Sequence, residues 1–329
     1  MTVKIVTDSS SDISPELAQQ LGITVVPLYV RFGEEVYRDG VDMSADEFYY
    51  KLETGPVHPT TSAPSPGDFI RVYEKLTQET DEILSIHVSS KLSATYDAAL
   101  RGKEALDETR CQIEVVDSQW VSMALELITR AAAKAAEAGE SLNQVLNSVH
   151  QDILQTRLMG LLDTLKYLAK GGRIGKAASL LGTALNVKPL IFVKEGEAHP
   201  AGLARTRGKA MDRLSEFVKC SLSIQDLGIA HSTTADETKT LSERIGVFLP
   251  KIHPKIAKLG PVLGTHTGPG SLILALREGE ASTTRDETAE ERKRRFSVPS
   301  LRLPGRYSSY HRFQVRKLPH PLRLKLAKA

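Results

Sequence analysis

The chain has 329 residues, 41% apolar and 25% charged, which suits a soluble α/β protein of roughly two domains with sizeable cores. Its net charge of +3 averages two unlike parts: 13 basic residues stand against 4 acidic ones from Ala281 on, leaving 30 against 36 before it. A mildly acidic body argues against nucleic-acid binding, and two cysteines, Cys111 and Cys220, without metal-type spacing argue against a metal framework and for a reducing compartment. The N-terminus passes straight into a strand pattern followed by Asp8 and Asp12, with no secretory core, and no uncharged apolar run reaches the about 18 residues that span a bilayer. A cytoplasmic location is expected.

Val3–Val6 reads as a strand ending in Thr7-Asp8-Ser9-Ser10-Ser11-Asp12. Asp8 there is either a turn-capping carboxylate or a site residue. Ser14-Pro15-Glu16 opens a short helix closed by Gly22, Ile23–Val30 reads as the next strand, and Gly33–Gly40 as a hairpin. Ser44-Ala45-Asp46-Glu47 has the form of a capping box. The segment Pro59-Thr60-Thr61-Ser62-Ala63-Pro64 is held extended by its prolines and carries three adjacent hydroxyls, and Ser65-Pro66-Gly67-Asp68 then starts a helix.

Glu82–Val88 is a short apolar run that reads as a buried strand, and Ser93–Leu106 as a helix. Between them lies Ser89-Ser90-Lys91-Leu92-Ser93, a hydroxyl-rich turn at the carboxyl end of a strand, where open α/β sheets place ligands. Ser93 is either a helix cap or a donor to an anion at the helix start. Cys111–Val116 gives a strand and Ser122–Ala138 a helix, so the alternation implies a parallel sheet with helices on both faces. The helix Ser141–Leu154 is expected to end the first domain, at 155.

The second domain is expected over 156–280. Arg157–Leu162 reads as a strand, followed by a helix, the Gly171-Gly172 break and a further helix to Leu185. Lys170, Arg173 and Lys176 fall here without an acid, either as a solvated face or as a docking surface for an acidic partner or a phosphate. Lys188–Val193, the helix Lys209–Cys220, Leu227–His231 and the helix Ala235–Phe248 form another alternating unit; His231 is a structural histidine or a site. Pro261–Leu263 reads as a strand entering a glycine-bracketed turn with His266 at its tip, and Leu272–Leu276 as a helix. From Ala281 the periodicity stops, and 281–329 reads as a basic, disordered tail.

Two chemistries fit these residues. A serine hydrolase would use Ser93, His266 and an acid such as Asp8, although no G-x-S-x-G elbow is present. Alternatively, hydroxyls at Thr61 and Ser93, the His266 imidazole and a helix start would bind a carboxylate or phosphate, with Ser62, Thr95 and Thr267 as secondary donors.

Five motifs carry a resemblance: Thr7-Asp8-Ser9; Pro59-Thr60-Thr61-Ser62-x-Pro64-Ser65-Pro66-Gly67; Ser89-Ser90-x-Leu92-Ser93-x-Thr95-Tyr96; Leu168-x-x-Gly171-Gly172-Arg173-Ile174; and Gly264-Thr265-His266-Thr267-Gly268-Pro269-Gly270. In this order the chain resembles the DegV family, the fatty-acid-binding subunits of bacterial fatty acid kinase. Lys91 and Ala94 stand where glycines are common in the family. The resemblance covers residues 1–280. It implies two α/β domains with an apolar ligand tunnel between them and the acid's carboxylate held by Thr61, Ser93 and His266. It also implies a non-catalytic carrier that presents this carboxylate to a separate kinase subunit for conversion to acyl phosphate, feeding phospholipid synthesis. Lys170, Arg173, Lys176 and Arg205 would dock that partner. No metal or cofactor is expected, a long-chain fatty acid being the ligand, and lipid exchange would bring peripheral membrane contact. A lipid-responsive regulatory module is the remaining alternative. About 14 buried methylenes at about 0.8 kcal/mol each would supply on the order of 11 kcal/mol before ordering costs.

Overall fold

A computed structural model of the chain describes residues 2–106, 110–182, 186–221 and 223–279. The stretch read as a tail, 281–329, lies outside them, as does residue 185, the expected end of a helix. β1 (Lys4–Asp8) runs through a 3-10 turn, Ser9–Ser11, into α1 (Pro15–Gln20) and β2 (Ile23–Val26). Ser14 caps α1 by accepting from the Leu17 N–H, with Pro15 at the first helical position. The single strand expected over Ile23–Val30 is interrupted at Pro27, which has no N–H for a ladder. β3 (Tyr29–Phe32) departs to pair with β4 (Glu35–Arg38), and after α2 (Ala45–Thr54) β5 (Thr60–Ser62) joins its other edge. Capping boxes start α2 at Ser44 and α3 (Pro66–Leu76) at Ser65.

β6 (Glu82–His87), α4 (Thr95–Glu104) and β7 (Gln112–Asp117) complete a four-stranded parallel sheet, ordered β2-β1-β6-β7. The period-2 alternation of the strands splits its two faces. Val6, Ile83 and Ile113 meet Phe69, Tyr73 and Ala99 of α3 and α4. Ile5, Leu84 and Val116 turn the other way, to the core shared with α5 (Met123–Glu137) and α6 (Leu142–Gln155).

The remainder builds a second sheet. β8 (Thr156–Leu161), α7 (Lys166–Lys170), β9 (Lys188–Lys194) and β10 (Glu197–Ala204) come first, then α8 (Arg207–Lys219), β11 (Ile224–His231) and α9 (Ala235–Gly246). β12 (Lys255–Lys258), α10 (Pro261–Thr267) and β13 (Leu272–Glu278) follow. The strand order is β10-β9-β8-β13-β11-β12, antiparallel except for β11 beside β12, so the second unit does not repeat the parallel rhythm of the first. Leu161, Leu190, Leu272 and Leu274 pack under α8 and α9, on Met211, Leu214 and Leu241. Their neighbours Leu158, Gly160, Ile191, Val193 and Ile273 face the opposite side, where a cavity lies. α5 is tied to this sheet by Arg130, whose guanidinium lies 2.8 Å from Glu126 and 2.9 Å from Asp226 of β11.

Three local expectations are corrected. Pro261–Leu263 begins a helix and Leu272–Leu276 is a central strand, the reverse of the sequence reading. Proline suits a first helical turn, while every residue of Leu272–Leu276 is buried, so the run shows no polar alternation to mark it as a strand. Ser93 precedes α4 without capping it: the helix starts at Thr95, with Ala94 at the N-cap and no side-chain cap. Beyond the double glycine, Gly175–Leu180 is a 3-10 segment.

Candidate functional site

The cavity lies between the carboxyl ends of the parallel strands and the face of the second sheet opposite α8 and α9, beside the part of that face that α5 and α6 cover. Leu28, Val88, Leu92 and Val121 wall it from one side, Leu158, Ile191, Val193 and Ile273 from the other, and Val262 and Leu263 of α10 close a flank. Its polar lining residues are Thr61, Ser62, Ser93, Arg173, His266, Thr267 and also Ser10, whose hydroxyl is turned to Asp8.

Each is placed by simple local rules. The β3–β5 register sets Thr61 opposite Val30, so Thr61 points to the face opposite its neighbours Thr60 and Ser62. His266 lies one turn beyond Val262 on α10, hence on the same helix face. The two meet: Thr61 Oγ1 and His266 Nε2 are 2.8 Å apart. Ser93 Oγ lies 2.8 Å from Thr95 Oγ1 and accepts from the Thr95 N–H at 3.3 Å. Thr95 is fully buried behind Ser93, and the Thr267 hydroxyl donates to the Leu263 carbonyl at 2.9 Å.

Burial, and then the positive charges of Arg173 and His58, lower the His266 pKa to about 4. The ring is therefore neutral at pH 7, a hydrogen-bonding group and not a cation. Its Nδ1 has no hydrogen-bond partner among the described residues, because it is pressed against Gly171: a Cβ there would lie 2.1 Å from Nδ1. The double glycine read from the sequence as a helix break thus makes room for the imidazole.

Arg173 was singled out with Lys170, Lys176 and Arg205 as a docking residue. Lys170, Lys176 and Arg205 are exposed, Lys176 pairing with Glu197 at 2.7 Å. Arg173 is half-buried at the cavity, donating from Nε to the Leu92 carbonyl at 3.1 Å and from NH1 to the Gly171 carbonyl at 2.7 Å. It clamps the Ser89–Ser93 turn onto the glycine loop. Sequence reasoning missed its place at the cavity, and missed the apolar walls, whose residues are indistinguishable from ordinary core until the two sheets are set face to face.

The hydrolase row Ser93–His266–Asp8 is not assembled. Asp8 lies with His87, Nδ1 to Oδ2 at 3.0 Å, and His87 Nε2 is 2.7 Å from Ser85 Oγ, which accepts from the Tyr73 hydroxyl at 2.9 Å. That row of Ser, His and Asp is completely buried, with no path for a substrate. Asp8 instead also accepts the N–H groups of Ser10 and Val88, at 3.1 and 2.9 Å, and so fixes the ends of β1 and β6. His231, at the end of β11, is absent from the cavity lining. Among the described residues no group of three His, Cys, Asp or Glu is arranged to hold a metal ion, and no helix is long and apolar enough to cross a membrane.

Two facing sheets around an apolar cavity with a hydroxyl and imidazole end define an α/β small-ligand binding protein. Residues 2–278 match the family model described as "Uncharacterised protein, DegV family". A DegV domain-containing protein of Deinococcus radiodurans is 36% identical over 281 residues, 84% of this chain and 98% of that one. Among solved structures, that of a fatty-acid-binding DegV family protein from Thermus thermophilus is 34% identical with a TM-score of 0.78, covering 85% of this chain and 100% of that one. A stearic acid-binding protein from Eubacterium ventriosum is 27% identical with a TM-score of 0.77, covering 84% and 98%. The chain belongs to the DegV family.

Proposed function

We propose that the protein is a fatty-acid carrier: the cavity buries the acyl chain, and Thr61, Ser93 and the neutral His266 hold the carboxylate at its polar end. The halves that enclose the acid are residues 1–155 and 156–280. The observation that carries this reading is a cavity with largely apolar walls into which the paired Thr61 hydroxyl and His266 imidazole are set. The fatty acids bound by the Thermus thermophilus and Eubacterium ventriosum relatives support the ligand class. At about 160 Å³ the cavity is on the scale that holds benzene, so an acid with about 14 methylenes parts the lining side chains as it enters. Burial of the chain drives binding and the donors set its direction.

In this reading the carrier does no chemistry alone. It is cytoplasmic, meets the membrane peripherally to exchange lipid, and offers the carboxylate to a kinase subunit for conversion to acyl phosphate that feeds phospholipid synthesis. Lys170, Arg173, Lys176 and Arg205 form the docking face. Lys170→Ala combined with Arg205→Ala, both exposed and outside the cavity lining, is expected to keep acyl binding within about threefold and to lower phosphorylation by the partner at least tenfold; normal turnover removes these two from the docking face.

The central test is mass spectrometry of lipid extracted from the purified protein, with Ser93→Ala beside it. The wild-type chain is expected to carry a long-chain acid. The variant, having lost one donor to a buried carboxylate, is expected to bind about tenfold more weakly. Wild-type protein without acyl ligand, or unchanged retention by Ser93→Ala, would overturn the reading. Ester cleavage by the purified chain, abolished in Ser93→Ala, would restore the hydrolase.

A further inference from the structure

α10, which carries Val262, Leu263 and His266 into the cavity, is held at its start by two buried carboxyl groups with no cation beside them. Asp39 is 4% and Asp12 8% exposed, and neither pairs with a Lys, Arg or His among the described residues. Asp12 accepts from the Gly260 N–H at 2.8 Å and from the Ser122 hydroxyl at 2.6 Å. Asp39 accepts from the Ser9 hydroxyl at 2.7 Å and from the Val262 N–H. The two converge on Gly260, where a Cβ would lie 3.0 Å from Asp39 Oδ1 and 3.5 Å from Asp12 Oδ1. Three segments distant in sequence are joined here: the β1 turn, the loop before α2, and the helix that walls the cavity.

We propose that Asp12 and Asp39 form a proton latch on α10: while protons are retained the helix is clamped against the cavity, and when both groups ionise it loosens and ligand exchanges faster. The latch rests on the carrier reading only for its effect on ligand.

The surrounding groups set the direction. Asp8, at the end of β1, adds like charge to both acids, and Tyr49 of α2 brings a buried neutral hydroxyl, bonded to the Leu259 carbonyl at 3.2 Å. The Ser9 turn and the start of α5 contribute hydroxyls, and α10 contributes amides. Lys258, two residues before Gly260, is engaged by Asp46 of α2. Burial raises both acids from about 3.8 to about 7, the hydrogen bonds offsetting only part of it. A group whose pKa is raised in the closed form stabilises that form at low pH, and the support is lost as pH climbs toward 7. For one such group, taking an ordinary pKa once the helix opens, the closed-to-open ratio falls about tenfold between pH 6 and pH 8. His266, lowered to about 4, stays neutral across that window, and burial holds His58 and His231 below the usual histidine value.

The test follows hydrogen exchange of the α10 amides in the ligand-free chain, as protection factors at pH 6 and pH 8, together with the release rate of cis-parinaric acid. Protection of 262–268 is expected to fall by more than the tenfold of one group, up to about a hundredfold for two independent groups, while β6 changes less than twofold, and release to quicken in parallel. Asp39→Asn and Asp12→Asn each leave one acid to titrate and are expected to show a smaller pH effect than wild type, and the double variant, which has neither, threefold or less. Wild-type α10 protection that varies less than twofold, or Asn variants that keep the full wild-type profile, would overturn the latch. If one variant does not fold, the wild-type profile and the other variant decide. Failure to bind cis-parinaric acid at either pH counts against the carrier reading, and amide exchange still decides the latch.

Discussion

Replacing Gly171 by Ala is expected to weaken acyl-ligand binding five- to thirtyfold although residue 171 supplies no side chain to the ligand. The backbone there is right-handed helical, with φ −75° and ψ −7°, so alanine suits it conformationally. The obstacle is the new methyl, built 2.1 Å from His266 Nδ1 and 2.8 Å from Cε1. The ring must leave, and with it goes the 2.8 Å contact that holds the Thr61 hydroxyl. Losing such a bond in a buried polar corner costs about 1–2 kcal/mol, which is that range of affinity. A double-mutant cycle isolates the cause: in a His266→Ala background, Gly171→Ala is expected to cost less than twofold. An equal loss in both backgrounds would show that Gly171 acts through the backbone of the Arg173 loop.

The second large effect is on stability. Arg130→Ala is expected to destabilise the fold by about 3–5 kcal/mol, lowering Tm by about 10 °C. Glu126 is 2% exposed, and removing its guanidinium partner, 2.8 Å away, strands a carboxylate inside the junction of α5 with β11. Burial already raises the Glu126 pKa, with Arg130 opposing that rise. Without Arg130 the rise is larger, so Glu126 takes up a proton nearer neutrality. A folded-state pKa above the unfolded one costs stability as pH increases, so the Arg130→Ala deficit is expected to be smaller at pH 5 than at pH 8, read from urea midpoints. Glu126→Gln combined with Arg130→Met, which leaves no charge at the fully buried position and only the partly exposed Asp226 without its cation, is expected to recover at least half the loss. A single variant as stable as wild type would mean that water reaches Glu126.

The hydroxyl stretches were legible because their chemistry is local. Prolines hold Thr60–Ser62 extended, and Ser89–Ser93 follows an unmistakable buried strand, so both could be placed at strand ends without tertiary knowledge. Thr61, Ser62, Ser93, His266 and Thr267 all reach one cavity, with Thr95 directly behind Ser93. The exchange of helix and strand between Pro261 and Leu276 arose where this logic fails: a segment buried on both faces displays no periodicity, and its identity is set by the strands that flank it, β8 and β11. The same holds for charge. Asp12, Asp39, Glu126 and Arg130 look like surface residues in the sequence, since their partners lie 30 to 248 positions away in some cases and four in others; distance along the chain gives no sign of burial. Arg173 was legible as a cation near the glycines, but one of the two carbonyls it grips, that of Leu92, belongs to a turn 81 residues earlier.

The serine turn is gripped from two directions. Arg173 holds the Leu92 carbonyl, and at the tip of the β9–β10 hairpin the Gly196 carbonyl accepts the Ser89 hydroxyl at 2.8 Å, at a spot where any Cβ on residue 196 would strike that oxygen. The short peptide bearing Ser93 is therefore common property of both sheets, riveted to each. Separating the two units would break one or both of these bonds, so the place of Ser93 depends on the units staying together. The position of one hydroxyl is thereby made a property of the whole assembly of sheets and not of its own loop.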